Sequence, residues 1–308
     1  MAVGGVFARA DFPRLYAQRL PFLKKLIGAD DWPEVEKTWM PLFRIETSNR
    51  LREEHLMHAG MGSFNSMEEN EAVSYDNIVQ GPKKTYTHTM YGLGFQIGYL
   101  SAKHDLDGII KRHAPELGRS ARMTIQTLAA AFWNGSFATY TTADGQYVVD
   151  TDHTYIRGGG TFSNEASTNP ELGHSALEAV LVQFANQKDL MGNPQPLPYE
   201  KLLIPPDLEP VAFELLRTDR VTGSDNWNKS FIYNKLTPVV WPFLSDSAAW
   251  WVIAPKQYTQ VYWYWNIKPE TTHGYDFDTE AAKTKTLFAC SFGATDPRGI
   301  VGSDGGGS

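Results

Sequence analysis

Near its C-terminal end the chain alternates without a pause, with Val261, Trp263, Trp265 and Ile267 on one side and Tyr262, Tyr264 and Asn266 on the other. A spacing of two is strand periodicity, and a strand carrying bulky groups on both faces has to be covered on both. It therefore belongs inside a layered fold or between subunits, and the pattern leaves open which. An exposed strip of such rings would instead stack sugars or bases. A second strand fits Thr284 to Phe292, and Asp296-Pro297-Arg298-Gly299 reads as a turn.

Period two also governs an earlier stretch, from Glu53 to Tyr99. Lys84, Tyr86, His88 and Met90 alternate with Thr85, Thr87, Thr89 and Tyr91, and Leu93, Phe95, Ile97 and Tyr99 continue on alternate positions. The polar stretch Ser63 to Ser74, holding Glu68, Glu69 and Glu71, lies on the approach, so the segment reads as a long hairpin with an acidic tip. A hairpin this poor in large aliphatics is marginal alone and needs something to lie upon. The same holds for the first 50 residues. Pro13, Pro21, Pro33 and Pro41 interrupt any helix there, yet Leu15, Leu20, Phe22, Leu23, Trp32, Trp39, Leu42 and Phe43 all require cover, from the rest of the chain or from another subunit.

Helices are signalled in between. Leu117, Ala121, Ile125, Leu128 and Phe132 form one apolar stripe that Asn134-Gly135 can stop. Pro115 either opens this helix or kinks a longer one starting near Asp107. Ser175-Ala176-Leu177-Glu178 has a capping-box pattern before Val180, Leu181 and Phe184. Leu202 to Ile204 reads as a strand, running through Pro205-Pro206 into a third helix with Leu208, Val211, Ala212 and Leu215. The Gly-rich end from Gly302 reads as a loose tail. With no internal repeat and no regular βαβ alternation, the fold class is mixed α+β.

Charge narrows the functions open to such a chain. Lys+Arg number 28 against 35 Asp+Glu, a net charge of −7, with no basic run longer than Lys83-Lys84, which argues against a protein that wraps nucleic acid. Charged residues make up only 20% while aromatics reach 13%, a balance found in interface cores as well as in aromatic-rich monomers. The single Cys290 allows no internal disulfide, no export signal is evident, and no apolar run is long enough to span a bilayer.

Individual sites carry less. Asp150-Thr151-Asp152-His153 offers two carboxylates and an imidazole to a divalent metal, although Asp144-Gly145 before it and Gly158-Gly159-Gly160 after it mark loop territory, where Asp and His are ordinary. His55 and His58 could share a helix face but lack the glutamate of a zinc protease motif. Gly158-Gly159-Gly160 lacks the Lys-Ser/Thr of a phosphate loop, and Gly92 and Gly94 lack the third glycine of a dinucleotide turn. Cys290, in an apolar strand, reads as an inert thiol. These residues support no catalytic residue and no cofactor.

The order of the parts says more, and several segments carry it: Tyr91-Gly92-Leu93-Gly94-Phe95-Gln96-Ile97, Ala129-Ala130-Ala131-Phe132-Trp133-Asn134-Gly135-Ser136-Phe137, Ser175-Ala176-Leu177-Glu178-Ala179, Leu202-Leu203-Ile204-Pro205-Pro206-Asp207-Leu208 and Phe292-Gly293-Ala294-Thr295-Asp296-Pro297-Arg298-Gly299. Together with Asp105, Asp144-Gly145 and Asp152-His153 they resemble, collinearly over roughly residues 46 to 300, the major capsid proteins of tailed bacteriophages with the Hong Kong phage capsid fold, a fold shared with encapsulins and the floor of herpesvirus capsids.

That resemblance implies an N-terminal arm at 1–52, an extended loop hairpin at 53–98, a peripheral domain with a spine helix at 99–133, an axial domain at 134–254, a return to the peripheral domain at 255–300 and a flexible tail at 301–308. It implies a structural shell subunit, not an enzyme, that assembles through hexamers and pentamers into the icosahedral head around a double-stranded DNA genome, held without sequence-specific binding. Such a protein is made in the host cytoplasm, resides in the virion and touches no membrane. A portal and a decoration protein are implied partners, and a separate scaffolding protein too, since nothing before residue 50 is long or helical enough to be a cleaved scaffolding region. Trp32, Trp39 and Phe43 on the arm, and Glu68, Glu69, Glu71, Lys83, Lys84 and Tyr86 on the hairpin, are the candidate intersubunit contacts. Lys83 and Lys84 also lie where some members crosslink, but no acidic catalyst or acceptor is identified for them. The alternatives are an encapsulin-like compartment and, from another class, a metal-dependent hydrolase using Asp150, Asp152 and His153.

Overall fold

The structure, a computed structural model, describes residues 11–27, 33, 37–61, 64–73, 75–76, 79–157, 159–218 and 230–306. Helix α1 spans Phe12–Ile27, and strands β1 (Arg44–Thr47), β2 (Arg52–His58), β3 (Gln80–Thr87) and β4 (Thr89–Gly98) lead into the long helix α2, Tyr99–Asn134. A loop region with the short strands β5 (His153–Thr154) and β6 (Thr161–Phe162) precedes α3 (His174–Ala185), β7 (Lys201–Ile204) and α4 (Glu209–Arg217). Strands β8 (Thr237–Val240), β9 (Trp250–Ile253), β10 (Val261–Asp276), β11 (Ala281–Ala294) and β12 (Ile300–Ser303) complete the mixed α+β fold.

Two four-stranded sheets organise it, ordered β1-β10-β11-β4 and β12-β9-β7-β8. In the first, β10 and β11 form a long antiparallel ribbon whose register slips between Trp265 and Glu270, next to Pro269, which has no amide to give to the ladder. The first five residues of β10, Val261 to Trp265, are buried on both faces, as their alternation requires. Val261, Trp263 and Trp265 join Trp39, Phe43, Phe132, Trp133 and Trp251 in the main core, while Tyr262 and Tyr264 turn the other way to meet Tyr86. The second sheet is a wall shared by two cores. Leu203, Trp251, Ile253 and Ile300 face the main core, and Leu202, Ile204, Trp250, Val252 and Val301 face the core beneath α3 and α4. Each such side chain taken fully out of water contributes about 1.5–3 kcal/mol before conformational entropy is charged against it.

The helices depart from the sequence expectation in three places. α2 starts at Tyr99, well before Asp107, and runs 36 residues with Pro115 inside it, a length of about 54 Å. Pro21 likewise lies inside α1, whose buried residues Phe12, Tyr16, Leu23 and Ile27 pack with Ala102, Ile110, Ala114 and Leu117 of α2. This part of the arm is therefore covered by its own chain. The Ser175–Glu178 capping box does not form: α3 begins at His174 behind an extended Gly173 with no side-chain cap, and Glu178 turns instead to His174, at 3.6 Å.

The glycine-rich end also differs from a loose tail. β12 pairs Gly302 and Ser303 with Trp251 and Trp250, and Gly305, at φ +67°, passes so close to Ala248 that a Cβ would lie 2.3 Å from its carbonyl oxygen. Among the described residues no helix is long and apolar enough to cross a membrane.

Candidate functional site

Among the described residues, the segment between β2 and β3 carries the two most exposed large apolar side chains. The root of the hairpin is fixed. His55 sits among Tyr86, Tyr262 and Tyr264 in edge-to-face contacts with centroids 4.6–5.7 Å away, and its Nε2 shares a 2.8 Å hydrogen bond with the Tyr264 hydroxyl. Burial pushes the His55 pKa down and those of Tyr86 and Tyr264 up, so the group packs as neutral rings. Tyr86 bonds Thr295 at 2.6 Å, and the Arg44 guanidinium lies over Tyr262, 5.3 Å from the ring centre.

The stem then follows the loops after α2. Lys84 donates to the Thr141 carbonyl at 2.6 Å, Arg157 pairs with Asp76 at 2.7 Å, and Gly81 lies where a Cβ would come within 2.4 Å of Ile156. The single period-two run of the sequence breaks at His88, where the strand leaves the hairpin for the first sheet. His88 is held there by Ser48 at 3.2 Å and Ser291 at 3.0 Å.

Beyond the stem the cover ends. Phe64 and Tyr75 are 105% and 94% exposed, Met67 and Val73 about half so. Glu68, Glu69 and Glu71 are exposed beside them, in a tight turn in which the Glu71 amide donates to the Glu68 carbonyl at 3.1 Å and Asn70 takes φ 70°. Together Phe64, Met67, Val73 and Tyr75 form an exposed apolar patch at the end of an anchored, extended element. Phe64 and Tyr75 went unnoticed in the sequence, although two aromatics in or beside a stretch otherwise of Ser, Asn and Glu were the available signal.

The other candidate contacts fall differently. Trp39 and Phe43 are wholly buried in the main core and Tyr86 is 2% exposed, so the subunit's own packing accounts for these three. Lys83 pairs with Glu54 at 2.8 Å on the hairpin surface. Trp32 lies outside the described residues.

The aspartate-histidine loop is occupied by hydrogen bonds of its own. His153 is fully buried, with Nδ1 donating to Asp144 Oδ2 at 2.8 Å and Nε2 3.1 Å from Asn164 Oδ1. Asn164 in turn donates to the Val148 and Pro297 carbonyls and accepts from the Asp150 amide. Asp150 is spent on the amides of Tyr147, Thr151 and Asp152, and Asp152 is exposed. Among the described residues no three His, Cys, Asp or Glu side chains converge to hold an ion. Burial pushes the Asp144 carboxyl up, but hydrogen bonds from His153, Thr142 and the Gln146 amide outweigh it and hold it below the usual carboxylate range. The cluster is a structural staple between the loop after α2 and the turn before β12. His55 and His58 lie on strand β2 and not on a helix. Cys290 is buried, its thiol pushed up by burial to about 12.

Comparison with known proteins places this arrangement. The model of a family described as phage capsid protein matches residues 82–303. No curated protein matches the chain by sequence. Among solved structures, the procapsid of bacteriophage JBD30 aligns with a TM-score of 0.52 and 14% identity, over 94% of this chain and 75% of that one. The capsid of Ralstonia phage GP4 aligns at 0.56 and 10% identity, over 85% and 87%. A structure from Mycobacterium phage Patience aligns at 0.52 and 12% identity, over 98% and 89%. At these identities the likeness establishes a shared fold, the Hong Kong phage-type capsid fold.

Proposed function

The chain belongs to the phage capsid protein family as a major capsid shell protein, and from that premise we propose that the β2–β3 hairpin is the arm by which each copy clasps the next. The observation that carries this is the contrast along one element: a root locked onto Tyr262 and Tyr264, and a tip whose Phe64 and Tyr75 are bare. Burying two such rings and the neighbouring Met67 and Val73 on another subunit would order the tip and stabilise both partners.

Copies joined in this way close through hexamers and pentamers into an icosahedral head that holds double-stranded DNA without reading its sequence. The work is structural and uses no catalytic residue or cofactor. The subunit is made in the host cytoplasm and resides in the virion, with a portal, a separate scaffolding protein and a decoration protein as further partners. Glu68, Glu69 and Glu71 are contact residues of the tip. Lys83, with its salt bridge to Glu54 on the same hairpin, stiffens the arm.

Replacing residues 63–74 with a short Gly-Ser linker tests the proposal. The shortened chain is expected to keep the thermal transition of the unassembled subunit and to fail to form closed particles by light scattering and negative-stain imaging. Normal shells from it would overturn the assignment of the hairpin tip.

A further inference from the structure

The net charge of −7 hides a segregation. Helices α1 and α2 together carry nine Lys and Arg against three Asp and Glu, a balance of +6, which leaves nineteen against thirty-two, or −13, for the remainder of the chain. The two helices form one layer. Phe12 meets Tyr99 at 6.1 Å, Arg19 pairs with Asp107 at 2.8 Å, and the Gly118 backbone abuts the Ile27 carbonyl, so they run parallel, side by side, over the sheet. Their apolar stripes are buried together, and their outward positions hold the cations. Arg14, Lys24 and Lys25 on α1 and Lys111, Arg112 and Arg119 on α2 are all exposed. Of the three acids, Asp107 is already paired with Arg19.

We propose that this α1–α2 layer is the genome-facing surface of the subunit, where its lysines and arginines neutralise phosphates of double-stranded DNA; the inference rests on the shell reading above. On α2 the exposed cations are Lys111, Arg112 and Arg119, and from Lys111 to Arg119 they span about 12 Å of the helix. Duplex DNA carries one charge per about 1.7 Å of its axis, both strands counted, so a length of about 12 Å of it holds roughly seven phosphates. A long, evenly charged polyanion fits an extended strip on two parallel helices. The hairpin's own acidic tip, three glutamates within four residues, is a compact cluster that engages only a small part of it. The contacts are to phosphate and carry no sequence information. The −13 on the rest of the subunit keeps the other surfaces from competing for the duplex.

The test uses the full-length chain as dissociated subunits, a fluorescently labelled 30-base-pair duplex and anisotropy titrations at a series of salt concentrations. Arg14→Gln, Lys25→Gln, Lys111→Gln and Arg119→Gln are combined in one variant. A control variant removes the same charge elsewhere, at the exposed Lys188, Lys268, Lys283 and Lys285. The helix-layer variant is expected to flatten the slope of log affinity against log salt by about 0.9 per lost contact, up to about 3.6, and to bind about tenfold or more weakly at low salt. The control should keep most of the wild-type slope. Equal losses in both variants, or a wild-type chain that does not bind the duplex, would overturn the proposal. A helix-layer variant that binds DNA normally but loses affinity for a peptide of residues 64–76 would also overturn it, assigning the strip to a second copy's hairpin. Imaging the same chains after co-expression with the scaffolding protein separates this from the shell reading: closed particles from wild type with no difference in DNA binding between the variants sink only the charged layer, whereas no particles even with the scaffold sink the shell reading itself.

Discussion

Replacing Asp144 with alanine should measure how strongly the buried staple holds the loop after α2 in place. The carboxylate is almost fully buried, takes a 2.8 Å hydrogen bond from His153 and further bonds from Thr142 and the Gln146 amide. Its removal leaves a fully buried imidazole nitrogen without its partner, at a cost of about 3 kcal/mol by the range for buried hydrogen bonds to charged groups and for broken buried pairs. With an unfolding entropy of about 2.1 cal/mol/K per residue, a chain of 308 residues loses about 5 °C of Tm for that energy. Differential scanning calorimetry of unassembled subunits at pH 7 gives the comparison, and Asp144→Asn, which keeps an acceptor without the charge, should recover part of the loss. The pH dependence has a definite sign. A carboxyl held below its ordinary value of 3.8 contributes stability that is complete above that value and is lost as pH falls through the lower folded-state value. The gap between wild type and Asp144→Ala should therefore be full at pH 7 and shrink below about pH 4. A Tm within 1 °C of wild type at pH 7, or a gap that widens in acid, would refute the reasoning.

Two further perturbations probe other parts of the fold. A Cβ at Gly118 would stand 2.0 Å from the Ile27 carbonyl oxygen, so Gly118→Ala should lever α1 away from α2 at a cost of about 1–3 kcal/mol; limited proteolysis is expected to cut within residues 12–27 faster, and unchanged cleavage would rule out the close helix contact. Cys290, 2% exposed with its thiol pushed up to about 12, should resist iodoacetamide at pH 8 until the subunit unfolds, and rapid labelling of native subunits would show that the strand is open to solvent.

The legible parts of the fold were those where periodicity speaks by itself. The alternation at Val261–Ile267 fixed a strand covered on both faces because a period of two has no other economical solution, and the step from Leu202 to Leu215 gave strand, turn and helix in order. What misled were prolines. Pro13 stands in the first turn of α1, where a missing amide costs nothing, and Pro21 is carried through because Leu23 and Ile27 beyond it are buried against α2. Pro115 is carried likewise by Ala114 and Leu117, its two buried neighbours. Local propensity marks each as a break, and tertiary burial, invisible from within the window, overrides it. The same blindness applies at His88, since an unbroken alternation cannot show that the strand changes sheets there.

A deeper limit concerns apolar residues that a segment cannot bury by itself. Trp39 and Phe43 pose the same demand in the sequence as Phe64 and Tyr75, a large ring in a stretch too broken or too polar to shelter it. The demand is met in opposite ways. Trp39 packs tilted against Trp263 with ring centroids 4.7 Å apart, and Phe43 meets Phe132, Trp133 and Trp263 within 6.2 Å, so both are consumed by the chain's own core. Phe64 and Tyr75 are 105% and 94% exposed. Periodicity and composition register that a ring needs cover but not whose surface provides it, because the partner is fixed by long-range topology: β1 after the arm pairs with β10, while the rings of the hairpin tip stay exposed. For a subunit that joins copies of itself, rings left exposed after its own folding are the ones a contact between copies can use, which is why the proposed clasp rests on Phe64 and Tyr75 and not on Trp39 and Phe43.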